Sequence, residues 1–195
     1  MTKRIFILNG HPAETSLSRT LAQTYADAAI AAGHEVRLTH LHDLRFDADF
    51  GQSGFANPKP LEPGLDRVLD DLEWSEHLVL TAPMWWGGIP AKLKGLVDRS
   101  FLPGRAFDTR VAEGAMPAPM LTGRSARVIV TSDTPGWFMR LFYRNALFWQ
   151  IRSQILGFVG IKPAKFTHFS GASHADPGLV DRWVGKVRKF GAAAA

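Results

Sequence analysis

The chain has no cysteine. This excludes a disulfide framework, a thiolate zinc site, an iron–sulfur cluster and a cysteine nucleophile. No apolar run approaches the ~18 residues that a membrane span requires. The basic residues Lys3 and Arg4 are followed by an apolar stretch too short for a secretory signal. The expectation is therefore a soluble cytoplasmic protein with no membrane insertion. Also missing are the dinucleotide fingerprint G-x-G-x-x-G, the P-loop G-x-x-x-x-G-K-[ST] and the hydrolase elbow G-x-S-x-G. No pair of carboxylates is framed for glycoside hydrolysis, and neither an internal repeat nor a linker divides the chain.

What is present is 195 residues, 46% hydrophobic and 21% charged. That is the size of one domain, 1–195, with enough apolar residue for a full core and too few charges for disorder. The net charge of +5 is unevenly spread: the first half of the chain is acidic and the second half strongly basic. The basic residues of the second half, among them Arg99, Arg105, Arg110, Arg124, Arg127, Arg140, Arg144 and Arg152, are dispersed rather than clustered. A nucleic-acid partner is one reading of a basic half. An anionic small molecule is the quieter one, and no nucleic acid is expected.

Strands and helices alternate along the chain. Ile5-Phe6-Ile7-Leu8 is a continuous apolar run, as in a parallel strand covered on both faces. Leu17–Ala32 carries helical spacing in Leu21, Tyr25, Ala28 and Ala32, with Gly33 as its stop. A weaker strand, 35–41, belongs at a sheet edge. A long loop with Phe46, Phe50 and Phe55 fills 43–63. Then come helix 65–74, the buried strand 77–82, helix 91–101, a second Gly/Pro-rich loop 103–123 and strand 126–131. Trp137–Leu156 reads as one aromatic-rich helix. Strand 164–170, helix 176–190 and a frayed tail 192–195 complete the chain. This order predicts a doubly wound α/β fold with a five-stranded parallel sheet in the order 2-1-3-4-5 and helices on both faces. Ligands of such sheets sit beyond the C-terminal ends of strands 1, 3 and 4, so three loops converge: 10–16, 83–90 and 132–136.

The first loop, Gly10-His11-Pro12-Ala13-Glu14-Thr15-Ser16-Leu17-Ser18, runs into a helix N-terminus, where unpaired N–H groups and the helix dipole attract a phosphate. Helix capping by Thr15 or Ser16 is the plainer alternative. The second, Pro83-Met84-Trp85-Trp86-Gly87-Gly88-Ile89-Pro90, sets two adjacent tryptophans at a strand end. Adjacent residues point to different sides, so both rings cannot readily enter one core layer. A planar heteroaromatic ligand fits, with glycines allowing close backbone approach and indole packing on its face. In the third loop, Thr131, Ser132 and Asp133 offer polar groups, with Asp133 or Thr134 as a helix cap the plainer alternative. His40 and His42 sit two apart on the edge strand and would need His168 or His174 to complete a metal site. Edge histidines without metal are commoner, and no metal is expected.

Pro83-x-x-Trp86-x-x-x-Pro90-x-x-x-Lys94-x-x-x-Asp98-Arg99, followed by Phe101, Gly104 and Ala106-Phe107, resembles the signature of the flavodoxin-like NAD(P)H:quinone oxidoreductases, the DT-diaphorase and modulator-of-drug-activity group. Gly10-His11-Pro12 with Ser16-Leu17-Ser18 is similar to that family's flavin-phosphate loop, and the resemblance runs over nearly the whole chain. It implies that His11, Ser16, Leu17 and Ser18 hold the phosphate of FMN or FAD. By the same resemblance Pro83, Met84, Trp85, Trp86 and Gly87 line the ring, and Thr131, Ser132 and Asp133 touch its polar edge. The implied reaction is ping-pong transfer of a hydride from NAD(P)H through flavin to a quinone-like acceptor, in a homodimer, with the flavin and no protein acid or base carrying the chemistry. Nitro- or azo-compound reduction on the same flavin, an accessory subunit of a potassium-efflux transporter and a flavodoxin-like electron carrier are the rivals. The sequence departs from the family where a Thr-Thr-Gly-Gly turn and a Tyr/His pair are usual: here Asp133 replaces a glycine and Trp137 follows. Independently, the aromatics of 137–156 cover more than one face, which points to burial in a core or a subunit interface.

Overall fold

The computed structural model describes residues 2–51 and 57–195. Phe55 of the 43–63 loop lies outside the described residues. The strands β1 (Arg4–Asn9), β2 (Glu35–His40), β3 (His77–Pro83), β6 (Ser125–Ser132) and β7 (Ala164–Ser170) form a parallel sheet in the order β2-β1-β3-β6-β7. This is the expected 2-1-3-4-5 order, with β2 at an edge. The remaining short strands, β4 (Phe107–Asp108) and β5 (Ala118–Pro119), pair antiparallel within the expected loop 103–123.

The sheet is apolar on both faces because its residues alternate in direction. Ile5, Ile7, Val79, Ile129 and Phe169 face one core. That core is closed by α1 (Leu17–Ala31) and α6 (Pro177–Ala193), through Leu21, Tyr25, Trp183 and Val187. Phe6, Leu8, Leu78, Leu80, Val128 and Val130 face the other core. There they meet α2 (Pro63–Trp74), α3 (Ala91–Ser100) and the segment 146–156, through Leu65, Val68, Leu72, Leu93, Leu96, Leu147 and Ile151. Each such side chain contributes about 1.5–3 kcal/mol by leaving water.

Two expectations fail. Trp137–Leu156 is not one helix. It divides into α4 (Gly136–Leu141), α5 (Ala146–Trp149) and a π-helical turn, Gln150–Leu156. Arg144 and Asn145 both take left-handed conformations, φ 48° and 54°, which no helix accommodates. The aromatic spacing carries on across this break, so periodicity does not reveal it. The π turn closes on Gly157, where a Cβ would lie 2.7 Å from the Arg152 carbonyl oxygen. Nor is the tail frayed: α6 runs to Ala193, Ala194 is buried, and the carbonyls of Ala194 and Ala195 accept from Lys3 Nζ at 3.0 Å and Arg127 Nε at 2.8 Å.

Arg99 is 1% exposed. Its guanidinium donates to Glu62 Oε2 at 3.0 Å, to the Pro60 carbonyl at 2.9 Å and to the Asp47 carbonyl. It thus fastens both ends of the long loop to α3, while Gly95 leaves room for Ala48, whose Cβ would stand 2.9 Å from an added Cβ. Arg99→Ala leaves three acceptors without their donor, and we expect it to lower the unfolding free energy by about 2–4 kcal/mol in urea titration.

His77 lies at the opposite end of the sheet, 2% exposed, with Nδ1 2.8 Å from Ser125 Oγ and with Nε2 unpartnered among the described residues. Burial first, and the positive charges of Lys3 and Arg127 after it, push its pKa down to about 4 from 6.5. The unfolded chain therefore binds the proton before the native one does. This contribution to stability is complete above pH 6.5 and is lost as pH falls toward about 4. The loss is about 3 kcal/mol at its limit. His77→Phe should remove that part of the pH slope in thermal or urea unfolding.

Candidate active site

The site begins with a buried polar junction where β1 and β3 end. Asn9 is fully buried; its Oδ1 accepts from the His11 N–H at 3.2 Å, and its Nδ2 stands 3.4 Å from His40 Nδ1. On β3, paired with Asn9, Thr81 donates its hydroxyl to the Ser18 carbonyl at 2.9 Å and accepts at its own carbonyl from the Gly10 N–H at 2.7 Å. An added Cβ at Gly10 would lie 2.5 Å from Leu93 Cδ2, so only glycine lets the chain turn here against α3 without displacing that side chain. His42 lies 3.1 Å from the Pro12 carbonyl through Nδ1. His42, in the turn after β2, thus braces the first loop while His40 stands against Asn9 at the end of β1; among the described residues no group of three or more His, Asp or Glu is placed to hold a metal.

That loop delivers donors to one point. Ser16 caps α1, its Oγ accepting from the Arg19 N–H at 3.1 Å. The N–H groups of Leu17 and Ser18, in the first helical turn, have no carbonyl four residues back to bond to. Ser18 Oγ is buried without a partner among the described residues. His11 Nδ1 accepts from the Ala13 N–H at 3.0 Å, which leaves the ring proton on Nε2. Burial lowers the His11 pKa, so the ring is a neutral donor at pH 7.

In the second loop, Met84 N–H donates to the Thr131 carbonyl at 2.8 Å, tying the loop to β6. Trp85 and Gly88 exchange two backbone hydrogen bonds of 2.9 Å, making a tight turn with Trp86 at φ 50° and Gly87 at φ 74°. Such a turn needs φ > 0 at both central positions. Trp86 occupies the left-handed region at a cost of about 1–2 kcal/mol, and its side chain is fully exposed.

In the third loop, Thr131 and Ser132 are buried and Asp133 is exposed. The Asp133 carboxylate accepts from the Ser173 N–H and the Ser173 hydroxyl, each at 2.7 Å, and these bonds hold its pKa below the usual range. It caps no helix: the residue before α4 is Pro135, with no side-chain cap. Its charge is committed to the turn after β7.

A cleft of about 230 Å³ results, bordered by His11, Leu17, Ser18, Pro83, Met84, Trp85, Thr131, Ser132 and Asp133. Ser16 lies outside this lining. Trp86 and Gly87 border a second pocket of about 370 Å³ with Met139, Tyr143 and Leu147. Sequence reasoning missed Ala172 and Ser173, which also border the cleft. Their signal was positional, since they follow the strand beside β6. The lining fits a flavin phosphate and ring. An orphaned buried hydroxyl, two helix-terminal N–H groups and a neutral imidazole N–H provide four donors for an anion at the positive end of α1. Pro83, Met84 and Trp85 supply an apolar wall for a planar ring. Among the described residues, His11 and Asp133 are the titratable ones in the lining.

A family model described as having a flavodoxin-like fold matches residues 3–188. The FMN-dependent NADH:quinone oxidoreductase of Cereibacter sphaeroides is 30% identical over 168 residues, covering 85% of this chain and 76% of that protein. A ribosyldihydronicotinamide dehydrogenase-like protein, traD of Penicillium crustosum, is 27% identical over 163 residues, 69% of this chain. The matched region spans only 58% of that relative's length. Among solved structures, Smu.1420 from Streptococcus mutans superposes with TM-score 0.82 at 24% identity, covering 97% of this chain and 98% of that one. An FMN-dependent NADH-azoreductase from Bacillus anthracis, in complex with FMN, gives 0.73 at 17%, covering 98% and 99%. No helix among the described residues is long and apolar enough to cross a membrane. The extent of the family match and the quinone oxidoreductase relative agree with the sheet order and the three converging loops: the chain belongs to the family with the flavodoxin-like fold.

Proposed function

We propose that this protein is an FMN-dependent oxidoreductase that takes reducing equivalents from NAD(P)H and passes them to a quinone-like acceptor, the two substrates using the site in turn. The observation that carries this reading is the Ser18 hydroxyl, unpartnered among the described residues, at the N-terminus of α1 in a cleft walled by Met84 and Trp85. A bound flavin supplies the two-electron chemistry. The chain's own residues bind and orient it. Leu17 N–H, Ser18 N–H, Ser18 Oγ and His11 Nε2 serve the phosphate. Pro83, Met84 and Trp85 pack on the ring, and Thr131 and Ser132 meet its polar edge. Asp133, held by Ser173, keeps its negative charge off that edge. Trp86, outside the cleft, borders the apolar pocket with Met139, Tyr143 and Leu147, which suits a planar acceptor. Residues 1–195 act as one flavin-binding domain in the cytoplasm.

The unit of function is a homodimer. Trp86, Trp137, Leu141, Phe142 and Trp149 are each more than half exposed. Isolated apolar residues are normal on a surface, but a contiguous set is a mark of an interface. A second copy that covers this face also walls the acceptor pocket.

In anaerobic titration of the FMN-loaded protein, near-stoichiometric NADPH or NADH should bleach the flavin absorbance. Reoxidation by a benzoquinone should follow. Ser18→Ala should weaken FMN binding roughly 10-fold or more, the effect of losing a hydrogen bond to a charged group. Flavin that binds and stays oxidised would rule out the enzyme and favour an accessory-subunit role. Sedimentation should show a dimer that Phe142→Asp converts to a monomer; a monomeric wild-type protein would refute the dimer.

A further inference from the structure

Behind the cleft, on β7, stands a histidine outside the cofactor set described above. His168 Nε2 lies 2.8 Å from Ser132 Oγ, and the Ser132 hydroxyl has a second acceptor within reach, the Thr134 carbonyl at 3.4 Å. A hydroxyl has one proton to give and two lone pairs to offer. Its orientation therefore decides whether Ser132 presents a donor or an acceptor to the cleft. Between those two acceptors distance favours Nε2, since 2.8 Å is the usual O–H hydrogen-bond length and 3.4 Å is beyond it; the direction of the 2.8 Å bond follows the histidine tautomer.

We propose that His168 is a positioning residue for cofactor binding: its Nε2 lone pair takes the Ser132 hydroxyl proton, so that Ser132 faces the cleft as a hydrogen-bond acceptor for an N–H on the ligand's ring edge. This rests on the reading of the cleft as a flavin site. Packing holds the device in place. The Phe148 ring meets the His168 ring edge-on at 5.7 Å, which fixes the imidazole plane. Burial lowers the His168 pKa, which keeps the ring neutral, and a neutral ring has one bare nitrogen to accept with. Ser132 lies at the end of β6, next to β7 in the sheet, so the pair spans two adjacent strands.

Nitrogen NMR of the histidine-labelled protein without flavin tests the hydrogen-bond direction. The expected form of His168 carries its proton on Nδ1, with Nε2 bare. Ser132→Ala should disturb that form, and Ser132→Thr, which keeps the hydroxyl, should restore it. A proton on Nε2 would overturn the inference, because the histidine would then be the donor. Quenching of flavin fluorescence measures binding. Ser132→Ala and His168→Phe should each weaken FMN affinity by roughly three- to tenfold, the usual effect of one hydrogen bond. The double variant should be no worse than the weaker-binding single. Additive losses would show that the two residues act separately and would overturn the inference while leaving the flavin site intact. Wild-type protein that binds no FMN would overturn the flavin reading, and this inference with it.

Discussion

The parallel register of β1, β3 and β6 is the constraint on which the rest of the site depends. Asn9 pairs with Thr81, and Pro83 pairs with Thr131, so three loops leave the sheet at nearly one level. A parallel sheet needs both faces covered, which is why the middles of all three strands are apolar runs and why helices must return across them. The price of that burial is a set of polar backbone groups at the strand ends with no water to satisfy them. The Asn9 side chain meets the His11 N–H, the Thr81 carbonyl meets the Gly10 N–H, and the Thr81 hydroxyl meets the Ser18 carbonyl. In doing so they aim the first turn of α1, with the unpartnered Ser18 hydroxyl, at the space between the loops.

Two further devices hold loops against the body of the fold. Arg99, sealed from solvent, holds the segment around Asp47 and Pro60 against α3. The Lys94-x-x-x-Asp98-Arg99 block therefore has a structural meaning apart from any ligand: Lys94 and Asp98 pair on the helix surface while Arg99 turns inward. Asp133 is the second device. A carboxylate in place of the family's glycine is an obstacle near an electron-rich ring, unless its charge is engaged elsewhere. The two bonds from Ser173 engage it and join the third loop to the turn after β7.

The adjacent tryptophans illustrate how a tight turn divides labour. Trp85 borders the cleft and meets the His11 ring edge-on at 5.5 Å. Trp86, one residue later and in a left-handed conformation, faces the neighbouring pocket. Their expected divergence was legible in the sequence because successive side chains point apart. Which of them meets the cleft was not, because that depends on the φ > 0 turn that Gly87 and Trp86 make together.

The sequence by itself determined the sheet, its order and the level of the three loops. Apolar runs, a glycine stop after α1 and alternating elements are local signals, and parallel topology follows from them with few choices. Likewise the sequence set His11, Leu17, Ser18 and Pro83–Trp85 at strand ends and a helix start, and these residues border the cleft. Only the tertiary structure decided what distance in the chain conceals. The break at Arg144–Asn145 preserves the aromatic spacing, so no pattern marks it. The C-terminal residues look like a frayed tail until Lys3 and Arg127 are brought to their carbonyls. Asp133 meets Ser173, and Ser132 meets His168, across adjacent strands that lie some forty residues apart in the chain. Hydrogen bonds act over about 3 Å, so such partners have no signature in the sequence until the fold has placed them.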